Sequence, residues 1–84
     1  MYSKRLWLND TDSPSTGSVV AYRGNMVFGD ETKMTAFLEI SDCHNKARLH
    51  VSPMDTMQEY IIKMERLRDF ISDYIDYLKK EKQP

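Results

Sequence analysis

Apolar and polar residues alternate along much of the first 52 positions, which is the pattern of strands that bury one face. The alternation is clearest over residues 33–41, where every second residue from Met34 to Ile40 is apolar. Residues 46–52 alternate in a compatible sense after a turn-forming stretch at 42–45. Because neighbouring alternating segments with a short polar connection typically pair, these two segments are predicted to form an antiparallel hairpin.

Two more strands are predicted before this hairpin, at residues 2–9 and 18–23, joined by a loop rich in Asp, Ser and Thr. Gly24-Asn25 is predicted as a tight reversal or a bulge, because both residue types accept positive φ angles. Residues 26–28 are then either a separate short strand or the far end of a bent second strand. The predicted sheet therefore has four strands, or five.

One long helix is predicted over residues 53–82, because apolar residues recur every three or four positions from Met57 onward. Ser52 suits the N-cap, Pro53 suits the first helical position, and Asp55 suits the acid of a capping box. Thirty residues without glycine separate Pro53 from the C-terminal proline, so nothing in this stretch predicts a break.

Together these elements predict a single domain of the α+β class. A small antiparallel β-meander over residues 1–52 is expected to pack on the C-terminal helix, residues 53–82, in the order ββββα. The core is expected from alternating strand positions and one side of the helix: Leu38, Ile40, Leu49, Val51, Ile61, Met64 and Leu67.

Charge and cysteine content narrow the classes of function. Twelve basic and 13 acidic residues give a net charge of -1, which argues against a protein that coats nucleic acid or anionic membranes by bulk charge. No apolar run approaches the roughly 18 residues of a spanning helix, and no signal-peptide core follows the N-terminus. The lone Cys43 excludes an intramolecular disulfide and fits a reducing compartment. These features predict a cytoplasmic protein without a membrane partner.

The sequence offers little for catalysis or metal binding. Cys43 and His44 are adjacent, and neighbouring residues on a strand or turn point apart, whereas a nucleophile and its base must touch. No paired Cys-x-x-Cys or His-x-x-x-His spacing supports a metal site, and the glycines form no phosphate-binding loop. The protein is therefore expected to be no enzyme, with no catalytic residues, no metal and no cofactor.

The side of the predicted sheet that faces away from the helix combines aromatic and basic residues. The candidate binding residues on this side are Arg5, Trp7, Phe37, Lys46, Arg48 and His50. Rings that stack on bases and cations that meet phosphates would suit single-stranded nucleic acid. The same composition is typical of protein-interface hot spots, and Glu39 within the patch favours a protein partner.

The main prediction is a non-catalytic binding or regulatory module that acts through protein–protein contacts. An inhibitor or adaptor of the kind that mobile elements or phages encode fits this size. The alternative is a single-stranded nucleic-acid-binding protein that uses the aromatic and basic sheet face. A small-ligand pocket is a third reading, although 84 residues leave little interior once a core is packed.

The predicted architecture, a four-stranded meander followed by one long helix, resembles the positive-cofactor-four coactivators and the PUR-alpha repeat. Both families bind single-stranded nucleic acid and dimerise, and the resemblance implies those properties here. It covers the order of elements alone, because the chain carries no residue motif of either family, and fold alone does not fix function.

The predicted helix is too long for the predicted sheet. Residues 53–81 would span about 43 Å, whereas a seven-residue strand is about 23 Å long. The distal half nevertheless remains rich in large apolar side chains, so a second copy of the chain is expected to cover it in a homodimer. The residues expected in this interface are Phe70, Ile71, Tyr74, Tyr77 and Leu78.

Overall fold

The computed structural model describes residues 1–10, 12, 16–51 and 54–82, and it has the predicted α+β order of four strands followed by one helix. The elements are β1 (Tyr2–Trp7), β2 (Gly17–Phe28), β3 (Glu31–Asp42), β4 (Asn45–His50) and α1 (Met57–Lys82). The strands form one antiparallel sheet in the order β1-β2-β3-β4. The chain divides into two compact units, the sheet unit Met1–Ser52 and the helix unit Pro53–Pro84.

The second strand is continuous through the predicted reversal at Gly24-Asn25. β2 and β3 are each 12 residues long and pair along their whole length, with Gly24 opposite Thr35. A Cβ at Gly24 would lie 2.7 Å from the hydroxyl oxygen of Tyr22, whose O–H donates to the Asn25 carbonyl at 2.8 Å. Glycine at this position therefore leaves room for the Tyr22 ring and does not form a turn. Residues 26–28 are the end of β2.

Two-residue turns join β2 to β3 and β3 to β4. Phe28 pairs with Glu31, which leaves Gly29 and Asp30 as the first connection, and Gly29 has a φ of 65°. A positive φ at the first turn position is the requirement of a type II′ turn, which matches the twist of the flanking strands. Cys43 occupies the equivalent position in the second turn with a φ of 54°. A side chain in this backbone conformation is strained.

Replacing Cys43 with glycine is expected to raise the free energy of unfolding by about 0.5–1 kcal/mol, because glycine adopts a positive φ without a steric penalty. Urea unfolding of the two proteins measures the difference. Gly29→Ala is the matched control, and it is expected to lower the free energy of unfolding by about 1–2 kcal/mol. The new Cβ would meet no atom within 4 Å, so this loss would come from the backbone conformation and not from a steric clash with another residue. A Cys43→Gly protein less stable than wild type would contradict the strain at this turn.

Among the described residues of the sheet unit, the buried apolar side chain is that of Ala36, which is 4% exposed on β3. In the helix unit Tyr60 is buried, and this burial raises the pKa of its phenol. Ile61 is exposed, so its predicted core position is wrong. At 100° per residue, Ile61 lies at the margin of the side of the helix that carries Tyr60 and Met64. The remaining predicted core residues are half-buried: Leu38, Ile40, Leu49, Val51, Met64 and Leu67.

The helix begins at Met57, four residues later than predicted. Thr56 is its N-cap: the Glu59 N–H donates to Thr56 Oγ1 at 3.1 Å, and the Thr56 N–H donates to Glu59 Oε1 at 3.3 Å. These reciprocal bonds form a capping box of the Thr-x-x-Glu type. The predicted capping acid, Asp55, lies before the helix, and the predicted cap and first helical residue, Ser52-Pro53, lie outside the described residues.

The helix has 26 residues, which gives it a length of about 39 Å. Charged side chains recur in every turn of it. Within the described part of the chain, no helix is both long and apolar enough to cross a membrane.

Candidate functional site

Three neighbouring rows of cross-strand partners build one face of the sheet. The rows are Ser3-Tyr22-Phe37-His50, Arg5-Val20-Glu39-Arg48 and Trp7-Ser18-Ser41-Lys46. Paired residues in an antiparallel sheet point to the same face, so the register places all six predicted binding residues together. We call this surface the aromatic–basic face and define it by Arg5, Trp7, Phe37, Lys46, Arg48 and His50. Tyr22 and Val20 also lie on it.

Glu39 lies at the centre of this face and binds two basic residues of β4. The Arg48 Nε and Nη2 groups donate to Glu39 Oε2 at 2.9 and 2.6 Å, and Lys46 Nζ lies 3.5 Å from Glu39 Oε1. The Glu39 side chain is only 12% exposed, whereas both basic side chains remain exposed. The carboxylate therefore positions the two cations and offers little surface of its own to a partner.

The hydrogen bonds from Arg48 hold the pKa of Glu39 below its ordinary value of 4.5, and Lys46 acts in the same direction while partial burial opposes both. A carboxyl group whose pKa is lowered on folding stabilises the fold above its unfolded pKa, and this contribution is lost as the pH falls through the folded pKa. Wild type is therefore expected to be more stable than Glu39→Gln at pH 7, with the difference shrinking below pH 4.5.

Urea unfolding of wild type and Glu39→Gln between about pH 7 and pH 3 measures this dependence. Glu31→Gln is the control, because the Glu31 carboxylate lies 3.1 Å from Lys33 but both side chains are exposed, and exposed ion pairs contribute little. A stability difference for Glu39→Gln that persists unchanged at low pH would contradict the role of its carboxylate.

The Phe37 ring is held between side chains of the two neighbouring strands. The guanidinium carbon of Arg48 lies 4.1 Å from the Phe37 ring centroid, and the Tyr22 ring stacks on Phe37 at 5.2 Å with an interplanar angle of 22°. Arg48 thus contacts a carboxylate and an aromatic ring at once. Such a contact reduces the freedom of both side chains, so Tyr22, Phe37 and Arg48 form a preorganised cluster.

Trp7 is the most accessible aromatic residue of the face, with 62% of its surface exposed. It lies on β1, at the edge of the sheet, and the Arg5 guanidinium carbon lies 5.3 Å from its ring centroid. Arg5 Nη1 also donates to Ser18 Oγ at 3.5 Å. The face therefore has one exposed aromatic anchor at the β1 edge beside a basic residue.

Basic residues lie on the two outer strands of the face and the acid lies between them. Arg5 is on β1, Lys46 and Arg48 are on β4, and Glu39 is on the central strand β3. With His50 counted as neutral, these three cations and one anion give the face a net charge of +2, although the whole chain has a charge of -1. With strands about 4.8 Å apart, the two basic edges are separated by about 14 Å.

The distal half of α1 is the second candidate surface. All residues from 68 to 81 are exposed, including the five predicted interface residues Phe70, Ile71, Tyr74, Tyr77 and Leu78. Phe70 and Tyr77 are 73% and 60% exposed. Residues 69–76 also carry three aspartates and no basic residue, which gives this segment a charge of -3. We call residues 69–78 the distal helix segment.

Titratable side chains are otherwise dispersed. Cys43 is a free, exposed cysteine in the β3–β4 turn, and its N–H donates to the Thr16 carbonyl at 3.0 Å. In the described ranges, no group of three or more His, Cys, Asp and Glu residues could hold a metal ion. The aromatic–basic face and the distal helix segment are therefore the two candidate functional surfaces among the described residues.

Comparison of the chain with protein-family models, curated proteins and solved structures found no match. The chemistry of these two surfaces has to support any functional inference by itself.

Proposed function

We propose that this chain is a non-catalytic binding or regulatory module, such as an inhibitor or an adaptor, that acts through protein–protein contacts. In this proposal the aromatic–basic face contacts a protein partner, and the distal helix segment forms a homodimer with a second copy. The observation that supports a protein partner best is the internal pairing on the face, where Arg48 contacts both Glu39 and Phe37.

Single-stranded nucleic acid needs open ring faces for stacking and cations that are available to phosphates. The Phe37 ring has Tyr22 and Arg48 against it, and the carboxylate of Glu39 already binds Arg48 and Lys46. A protein partner has the opposite requirement, because preorganised aromatic and arginine side chains lose little entropy when they bind. The pairing therefore favours a protein partner.

Single-stranded nucleic-acid binding is kept as the second candidate because of Trp7. This ring is exposed and lies beside Arg5, which is the combination that stacks on a base and meets its phosphate. One such pair provides a small electrostatic footprint in a chain of charge -1.

Titration of a labelled oligo-dT and a labelled oligo-U at low salt decides between the two candidates. The proposal predicts no binding of either oligonucleotide. The nucleic-acid alternative predicts that the oligonucleotides bind, that Trp7→Ala loses about 1–3 kcal/mol of binding free energy, and that Arg48→Ala flattens the salt dependence of binding. This result would overturn the protein proposal.

Photo-crosslinking in the cells that express the protein tests the protein partner directly. A photoreactive amino acid at Trp7 is expected to give a discrete protein adduct. The same amino acid at Met34, exposed on the other face of the sheet, is the control and is expected to give none. Equal adducts from both positions, or an adduct at position 7 that persists with Arg5→Glu and Phe37→Ala, would show that this face is not the binding surface.

A cytoplasmic location belongs to the proposal, because Cys43 is free and exposed, and such thiols persist in reducing compartments.

A further inference from the structure

β1 is an outer strand of the sheet, and one side of its backbone is open. The Leu8 N–H donates to the Gly17 carbonyl at 2.8 Å, so the backbone groups of Leu8 point toward β2. Because this direction alternates along an antiparallel strand, the N–H and C=O groups of Ser3, Arg5 and Trp7 point away from β2. Among the described residues these three donors and three acceptors have no partner, and such an edge is a template for another strand.

The side chains of this edge are accessible on both faces of the sheet. All six residues of β1 are exposed. Tyr2 and Leu6 lie on one face and Trp7 lies on the other, and each keeps more than half of its surface exposed. The strand contains no proline, and its pairing with β2 runs without a bulge from Tyr2 to Trp7. The edge therefore lacks two devices that commonly prevent strand addition.

The charge of this edge is not compensated. β1 and β2 together carry no acidic residue and three basic ones, which are Lys4, Arg5 and Arg23. Lys4 and Arg5 lie opposite Ala21 and Val20, and neither forms an ion pair within the described part of the chain. The two cations of β4 differ, because both are bound to Glu39. The β1 edge is therefore the side of the sheet that most favours an acidic partner.

We propose that β1 binds an extended acidic segment of a partner protein, which joins the sheet as a fifth, antiparallel strand. This inference rests on the proposed function, because it names how the protein partner engages the Trp7 end of the aromatic–basic face. Backbone hydrogen bonds to Ser3, Arg5 and Trp7 supply affinity, and the side chains opposite β1 supply specificity. A second copy of this chain is a poor occupant, because two β1 strands would bring like charges together.

The order of residues in β1 defines the pattern of the partner strand. An antiparallel partner meets them in reverse order, as Trp7, Leu6, Arg5, Lys4, Ser3 and Tyr2. The complementary pattern is two apolar residues, two consecutive acids, a small polar residue and an apolar residue. The two acids then point to opposite faces of the sheet, one toward each cation. Phosphates of single-stranded nucleic acid accept hydrogen bonds but donate none, so they would leave the edge carbonyls without donors.

Fluorescence anisotropy with a labelled peptide of core sequence Val-Ile-Glu-Glu-Thr-Val tests this pattern at low salt. Wild type is expected to bind this peptide at least tenfold more tightly than the same peptide with Lys-Lys in place of Glu-Glu. The variant Lys4→Glu with Arg5→Glu is expected to reverse the preference, whereas an unfolded protein would bind neither peptide. Lys79→Glu with Lys80→Glu makes the same change in net charge on α1 and is expected to keep the wild-type preference.

N-methylation of the peptide tests the backbone pairing separately from the charge. The first glutamate lies opposite Arg5 with its N–H toward β1, and the second lies opposite Lys4 with its N–H away from β1. A methyl group on the first N–H is expected to weaken binding about tenfold, because it removes a hydrogen bond and stands between the strands. A methyl group on the second is expected to change the affinity less than about twofold. Equal effects at the two positions would overturn strand addition.

Two further results would overturn the inference without deciding the proposed function. One is no binding of the Glu-Glu peptide by wild type up to about 1 mM. The other is a Lys4→Glu with Arg5→Glu protein that keeps the wild-type preference. A protein adduct at position 7 alongside either result would retain the face as a protein-binding surface and remove the added strand. Oligo-dT binding that this double variant loses, without peptide binding, would assign the charge of β1 to nucleic acid and overturn both proposals.

Discussion

The Ala36→Lys protein is expected to lose about 3 kcal/mol of its free energy of unfolding, a large share of the roughly 4–13 kcal/mol expected for a chain of this length. Ala36 is 4% exposed on β3, and its carbonyl accepts a hydrogen bond from the Val51 N–H at 3.1 Å. Its cross-strand partner is Arg23, so the new ammonium group would also lie beside a like charge. Urea unfolding measures the loss.

Met34→Lys is the matched control for this prediction. Met34 lies two residues earlier on β3 and on the same face, but it is exposed and pairs with Asn25. The lysine can reach water there, so a change within about 0.5 kcal/mol is expected. Equal losses at both positions would contradict the distinction between a buried and an exposed position on this strand.

The double variant Phe70→Asp with Tyr77→Asp is expected to raise the dimer dissociation constant at least 100-fold. Both rings are exposed on α1, and truncated aromatic hot spots each cost about 2 kcal/mol or more in an interface. The two new carboxylates would also lie beside Asp73 and Asp76. Sedimentation equilibrium at micromolar concentration measures the change, whether the partner surface is a helix or a sheet.

The control for this variant adds the same charge elsewhere on the helix. Gln58→Asp with Lys80→Gln makes the same change of -2 in net charge outside the distal helix segment and removes no aromatic ring, so the dimer is expected to persist. A dimer that survives the Phe70 and Tyr77 substitutions would place the interface on another surface. A wild-type mass of 9.9 kDa across the concentration range would contradict self-association.

Local pattern was sufficient for the order of the elements and for the face on which most of their residues lie. The two-residue period from Met34 to Ile40 predicts both β3 and the face on which Phe37 lies, because side chains of a strand alternate. The period of three to four residues after Met57 predicts α1 for the same reason. Six candidate binding residues on three strands could therefore be assigned to one face before their neighbours were known.

The start of the helix and the course of β2 show where local signals compete. Ser52-Pro53 and Thr56 are all good residues for a helix start, and the sequence alone does not rank them. The reciprocal bonds between Thr56 and Glu59 identify the N-cap. At Gly24 the local preference for a turn is outweighed by the twelve-residue ladder between β2 and β3, because strand propensity depends on cross-strand neighbours.

The contacts within the aromatic–basic face depend on tertiary structure alone. The sequence placed Glu39 on this face as an isolated acid, whereas the register sets it opposite Arg48 and next to Lys46. Register also brings Tyr22 against Phe37, although 15 positions separate them in the chain. By itself the sequence determined the order of the elements, the faces and the charges, since each follows from local periodicity and composition. Which side chains touch was decided only by strand pairing, because hydrogen bonds between distant segments fix the relative positions that local preference leaves free.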